Sequence, residues 1–149
     1  MLKFVHLNAR SLLNKFDEID LVIQSSNANF FAITETWLSS DIADQVVGVN
    51  GYQIVQVVGV NGYQIVRNDR VGRGGGVALY IKNVYRFRVL PIDSHPHLEQ
   101  LWIETVSCKL PLIVGVFYRP PRSDMALFFD CFSETLADIS LLATHLVVY

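Results

Sequence analysis

Charge is scarce in this chain. Of its 149 residues only 17% are Asp, Glu, Lys or Arg, against about 25% in an ordinary globular protein. Twelve Lys and Arg stand against 14 Asp and Glu, a net charge of −2. No global basic field therefore advertises nucleic acid as a partner. Long apolar runs are missing too. A membrane-spanning helix needs about 20 consecutive apolar residues. The runs here, such as residues 111–118 and 141–149, are far shorter, and the second is broken by Thr144 and His145. No membrane partner is expected. The opening stretch is too short in apolar residues, with His6 inside it, to read as a signal peptide. An intracellular protein is expected. Cysteine is nearly absent. Cys108 and Cys131 are too few for a disulfide scaffold and lack zinc-site spacing, so two buried, reduced thiols are expected.

What is present is apolar: 51% hydrophobic residues and a mean hydropathy of +0.32. With membrane spans set aside, this points to strands buried on their faces. The length suits one domain.

The pattern along the chain is α/β. Residues 1–7 form a short apolar β-run. Leu12, Phe16, Ile19 and Ile23 then recur at helical spacing, with Asn14, Lys15, Asp17 and Glu18 on the other face, and Ser11 is the expected N-cap. Residues 30–34 are a second apolar strand ending in Glu35. Such a β-α-β unit favours parallel strands and sets Asn8 beside Glu35, each at the carboxyl end of its strand. Next comes an exact tandem repeat: residues 45–55 read QVVGVNGYQIV, and residues 56–66 repeat it letter for letter. Two copies of eleven residues are no solenoid. One copy is expected to be strand and the other surplus in a loop, which costs little. Beyond a polar turn and Gly74-Gly75-Gly76, strands are expected at 77–81, 85–90 as a return strand, 98–106 and 112–118. Arg119-Pro120-Pro121-Arg122 closes the last of these. Ser123 is expected to cap a second amphipathic helix carrying Phe128, Phe132, Leu136 and Ile139, and a strand begins at 146 and runs to 149.

A few side chains could carry chemistry. Glu35, at the edge of a buried strand, is either a hard-cation ligand, since magnesium takes carboxylate oxygen, or a loop carboxylate paired with an arginine. Asn8 could orient a metal ligand or a phosphate, or cap a turn. Tyr118 could hydrogen-bond a phosphate, or stand in water at a strand end. Arg67, Arg70 and Arg73 could meet DNA phosphates, with Asp69 offsetting them. The same stretch could instead be a solvated hairpin lead-in, and it lacks the ending of a P-loop. His95-Pro96-His97 reads as loop without function, and His6 and His145 as core residues.

Taken in order, these stretches resemble one family. Asn8-Ala9-Arg10-Ser11-Leu12, Thr34-Glu35-Thr36-Trp37-Leu38, Gly62-Tyr63 through Arg67-Asn68-Asp69-Arg70, Gly74-Gly75-Gly76-Val77-Ala78-Leu79-Tyr80-Ile81 and Tyr118-Arg119-Pro120-Pro121 resemble the endonuclease/exonuclease/phosphatase superfamily. The branch most resembled is that of non-LTR retrotransposons of the jockey and CR1 type. The resemblance implies a four-layer α/β sandwich of two mixed sheets with outer helices. It implies magnesium-dependent nicking of DNA, in which the nick primes a reverse transcriptase carried further along the element, acting in the nucleus. By resemblance, Glu35 is the metal-binding glutamate, Asn8 supports metal and phosphate, Tyr118 contacts the phosphate, and Arg119 joins Arg67, Arg70 and Arg73 on the nucleic acid. Arg10 stands where several members have an acid. The family's later Gly-Asp-Phe-Asn and Ser-Asp-His motifs do not occur in this sequence. The expectation is therefore a single incomplete domain over residues 1–149, its second half missing and the inner face of its first sheet bare. As given it would be an inactive endonuclease fragment. A non-catalytic nucleic-acid-binding remnant and a phosphatase of the same superfamily are the alternatives.

Overall fold

The parallel pair expected at the start of the chain is formed by β1 (Phe4–Asn8) and β2 (Phe30–Thr34). Phe4 lies opposite Phe30, and Asn8 opposite Thr34. This computed structural model describes residues 1–49, 63–92, 95, 97–106, 111–142 and 145–148; for residues 63, 64, 145 and 146 it describes the backbone. Between β1 and β2 runs helix α1 (Phe16–Ser26), preceded by a 3-10 turn at Leu13–Lys15. Ser11 is not its cap: Arg10 and Ser11 adopt left-handed backbone, with φ of 46° and 85°. Lys15 takes the cap position and makes no side-chain cap bond. The helix ends at Asn27 with φ 51°, a left-handed terminus that asparagine tolerates.

β2 pairs antiparallel with β4 (Val77–Lys82), and β4 with β3 (Tyr63–Asn68), giving the first sheet the order β1-β2-β4-β3. β3 comes from the second copy of the repeat. Of the first copy, residues 45–49 are described. It holds a 3-10 turn at Asp44–Val47, and Val47 and Val49 are fully buried beneath Tyr80, whose phenol donates to the Val47 carbonyl at 2.8 Å. Residues 50–62, the join of the two copies, lie outside the described residues.

The second sheet has the order β5-β6-β7-β8, built from β5 (Phe87–Val89), β6 (Glu99–Thr105), β7 (Leu112–Tyr118) and β8 (His145–Val148). β7 and β8 are parallel and the other pairs antiparallel. The expected return strand is shorter than expected and does not return to β4. It crosses to the second sheet, with the Tyr85 ring at the crossing tilted against Phe30, 5.1 Å between centroids, and its hydroxyl accepting a bond from Asn29. Helix α2 (Met125–Ser140) is capped by Asp124, which accepts from the Leu127 N–H, rather than by Ser123.

The two sheets face each other. Phe30, Ala32, Val77, Leu79 and Ile81 from one meet Leu101, Ile103, Leu112, Val114 and Val116 from the other. On the outside, Ile19 and Ile23 of α1 pack on Phe31 and Ile33. Phe132, Leu136 and Ile139 of α2 pack on Trp102 and Ile113. Trp102 lies flat on Gly115, where a Cβ would come within 2.0 Å of the ring. Four layers result: helix, mixed sheet, mixed sheet, helix. The inner face expected to be bare is covered by the chain's own second sheet, so the high hydropathy reflects strands such as β2 and β4 sealed on both faces. No described helix is long and apolar enough to cross a membrane.

Candidate active site

Because β1 and β2 are parallel and in register, their carboxyl ends emerge together. The backbone ladder continues past both ends: Ala9 N–H to Thr34 O at 2.9 Å, Ser11 to Glu35 at 3.0 Å and Leu12 to Thr36 at 2.8 Å. Glu35 and Trp37 both take φ of 54°, a left-handed conformation that costs such residues about 1 kcal/mol or more. The glycine run holds them there. Thr36 N–H donates to Gly76 O at 3.2 Å and Trp37 N–H to Gly75 O at 2.8 Å. Gly75 and Gly76 have φ of 69° and 84°, and a Cβ on Gly76 would sit 2.4 Å from the Thr36 hydroxyl. The triple glycine is a clasp on the Glu35 loop, not a phosphate cradle.

The second sheet supplies Tyr118, the last residue of β7. Its phenol donates to Glu35 Oε1 across the gap between the sheets. Burial, the Glu35 bond and the nearby charges of Glu35 and Glu99 outweigh Arg70 and push the phenol up to about 12. Tyr118 therefore remains a donor throughout the neutral range. Among the described residues, Glu35 Oε2 has no partner. Asn8 is exposed opposite Thr34, and its amide is likewise unbonded among them. The structure so brings Asn8, Glu35 and Tyr118 to one corner, from three strands and two sheets.

The arginines divide. Arg70 pairs with Glu99 Oε1, while Glu99 Oε2 accepts the Gly76 N–H at 2.6 Å. The Arg70 guanidinium lies on Gly75, where a Cβ would fall 2.4 Å from its central carbon. Arg67 turns inward to Asp44 at 3.1 Å and Asp69 at 3.4 Å, and donates to the Ile42 carbonyl. Burial raises the carboxyl of Asp69 against the pull of Arg67. Both arginines turn into the fold, with Arg67 Nη1 and Arg70 Nη2 left buried and without a hydrogen-bond partner among the described residues. Arg73 and Arg10 are exposed, and Arg119 is half-buried with a 3.4 Å bond to Ser123 O. Glu99 was not singled out from the sequence, because nothing in an alternating strand marks its first residue as the partner of an arginine 29 positions earlier.

His6 is not a core residue. It sits on the edge strand, exposed, 3.2 Å from the Thr34 hydroxyl, with its pKa lowered by desolvation. His95 lines a cavity of about 420 Å³ with Asp69, Arg70, Glu99 and Pro120. Cys131 is a half-buried free thiol; Cys108 and the His145 side chain lie outside the described residues. Among the described residues no group of three or more His, Cys, Asp or Glu could hold a metal. One carboxylate oxygen and one carboxamide oxygen at the Glu35 corner remain. Magnesium accepts so few protein ligands when water fills its other positions, but it binds weakly there.

The architecture is that of known nucleases. The endonuclease domain of TRAS1, a telomere-specific non-LTR retrotransposon, superposes with a TM-score of 0.68 at 8% identity, over 99% of this chain and 57% of that one. The AP endonuclease LMAP from Leishmania major gives 0.64 at 19% identity, over 96% and 50%. The 3′ phosphatase NExo from Neisseria, solved with a product DNA hairpin, gives 0.62 at 15% identity, over 99% and 56%. At these identities the likeness establishes the fold, and the resemblance carried by the motifs holds at that level. The chain spans about half the length of the structures it matches. No family model matches the sequence, and no curated protein matches it.

Proposed function

We propose that this chain is the metal- and phosphate-holding half of a DNA endonuclease that nicks a target for retrotransposition. The observation that carries the reading is the Tyr118–Glu35 hydrogen bond. It fixes one oxygen of a carboxylate and leaves the other free, beside an unbonded asparagine amide. Glu35 and Asn8 would hold a magnesium ion, which supplies Lewis-acid polarisation of a phosphoryl oxygen. Tyr118, kept protonated, has a single O–H; it would donate to a phosphate oxygen on releasing Glu35 Oε1 to the metal. None of the three can serve as general base, since Glu35 is spent as ligand and Tyr118 is held as an acid.

Hydrolysis of a phosphodiester needs an activated water together with an oriented phosphate. Each missing group of this kind costs about 10²–10⁴ in rate. The 149-residue chain alone is therefore expected to bind divalent cation weakly and not to nick DNA. Its natural partners on this reading are DNA and a reverse transcriptase elsewhere in the element, and its compartment is the nucleus. The likeness to a 3′ phosphatase keeps phosphomonoester hydrolysis as the second reading, because the same corner would serve either substrate.

The test is a manganese or magnesium titration of the chain followed by NMR, with a supercoiled-plasmid assay alongside. Weak binding lost in Glu35→Gln, and no magnesium-dependent nicking, are expected. Cation binding unaffected by Glu35→Gln would overturn the assignment of the ligand. Nicking abolished by Glu35→Ala would overturn the prediction of inactivity.

A further inference from the structure

Trp37 is 46% exposed, while its neighbours Thr36 and Leu38 are 0% and 3% exposed. The only other tryptophan, Trp102, is 1% exposed. The chain thus anchors the residues on both sides of Trp37 and turns the indole out, two positions after Glu35. It does so on strained backbone, with φ 54°, locked by the bond from Trp37 N–H to Gly75 O. The indole nitrogen lies beside Gly74, 3.8 Å from where a Cβ would stand. Arg73, next to Gly74 in sequence, is exposed and makes no ion pair among the described residues. A large apolar ring held out on a rigid, strained loop is not explained by packing. Rigid aromatic faces of this kind beside cationic side chains take nucleobases by stacking, largely without regard to sequence.

We propose that Trp37 is a stacking platform for an unpaired nucleobase of a DNA strand, with Arg73 meeting the adjoining phosphate. The inference rests on the reading of this corner as a DNA site and adds the residue that grips the base. Trp37 takes no part in the metal corner. Its contribution is affinity for, and placement of, the strand beside Glu35. An unpaired base presents an open face, so single-stranded or frayed DNA is the expected ligand, in preference to an intact duplex.

The experiment uses intrinsic fluorescence of the full chain in EDTA, titrated with a short oligodeoxythymidylate. Trp37 is the tryptophan that solvent and ligand can reach, so stacking is expected to quench the red side of the emission and leave the Trp102 signal. Trp37→Ala should weaken binding about tenfold, and Trp37→Phe by much less, the ring being retained. An oligonucleotide of the same length made of abasic units should bind wild type and Trp37→Ala equally. Arg73→Ala should weaken both ligands alike and lower the salt slope by about one. Equal affinity of wild type and Trp37→Ala for the thymidylate, or no quenching at any concentration, would overturn the proposal. The Trp102 emission reports in each variant whether the core is intact. The quenching is read in EDTA and so needs no bound metal. Failure of the metal reading therefore leaves the quenching in place, while failure of the stacking reading leaves the metal titration in place.

Discussion

Glu35 and Glu99 stand at the same end of the sandwich, each at the end of an interior strand of its sheet, and they have opposite fates. Glu99 has both oxygens occupied, one by Arg70 and one by the Gly76 N–H. Glu35 has one oxygen bonded to Tyr118 and, among the described residues, one free. A carboxylate with both oxygens engaged by the protein is a strut. One with a fixed orientation and a vacant lone pair is a ligand in waiting. The arginine expected to face DNA, Arg70, belongs to the strut. The Glu99 pair holds Arg70 down on Gly75, and Gly75 in turn holds the backbone of Trp37. The structural carboxylate thus positions the loop that carries the candidate functional one.

Four substitutions test that contrast, from the largest effect on stability to the smallest. Glu99→Ala strands a partly buried guanidinium and an N–H without acceptor. It should cost about 3 kcal/mol, read from the urea midpoint. A loss no larger than that of Glu35→Ala would erase the distinction. Gly75→Ala places a methyl 2.4 Å from the Arg70 guanidinium at a φ of 69°. About 2 kcal/mol should be lost in thermal unfolding, and the Glu35 loop should lose amide-exchange protection.

Tyr118→Phe removes one hydrogen bond, worth about 1 kcal/mol, from a partly exposed site. It also carries a pH signature. The folded phenol titrates near 12 against an ordinary 10.0, so the neutral form is the one the fold favours. The stabilisation is complete below pH 10 and is lost as pH rises toward 12. The variant should lack that part of the alkaline decline, and tyrosinate absorbance should show one late-ionising group fewer. Glu35→Gln keeps an acceptor for Tyr118, so its stability should stay within about 0.5 kcal/mol of wild type, while divalent binding disappears. A large loss of stability would make Glu35 a second strut.

Much of the fold was legible in the residues. The β-α-β start, the Gly-led β4, the near-continuous run of β7 and the phenylalanine face of α2 all follow from periodicity. The caps were misplaced by short distances: Ser11 yields to left-handed backbone, and Asp124 does for α2 what Ser123 was expected to do. The β5 strand was read as a hairpin return because local pattern does not say which sheet a strand joins. In the site, the parallel register sets Asn8 opposite Thr34, one residue before Glu35, as the β-α-β reading implied. The inward turn of Arg67 and Arg70 was not visible, since both point at partners distant in sequence, Asp44 and Glu99. Trp37 was read only as a letter in a motif.

By itself the sequence determined what local rules and apolar periodicity can encode: which segments are strand or helix, that β1 and β2 run parallel, and which oxygen-bearing side chains end buried strands. It also set the order of motifs that resembles one superfamily. Tertiary structure decided the rest. Which oxygen of which carboxylate stays free depends on atoms delivered from the other sheet, Tyr118 to Glu35 and Arg70 to Glu99. Whether Val47 and Val49 are buried depends on Tyr80, a residue more than thirty positions away that packs over them. Side-chain availability is a property of the assembled surface, and no short-range pattern carries it.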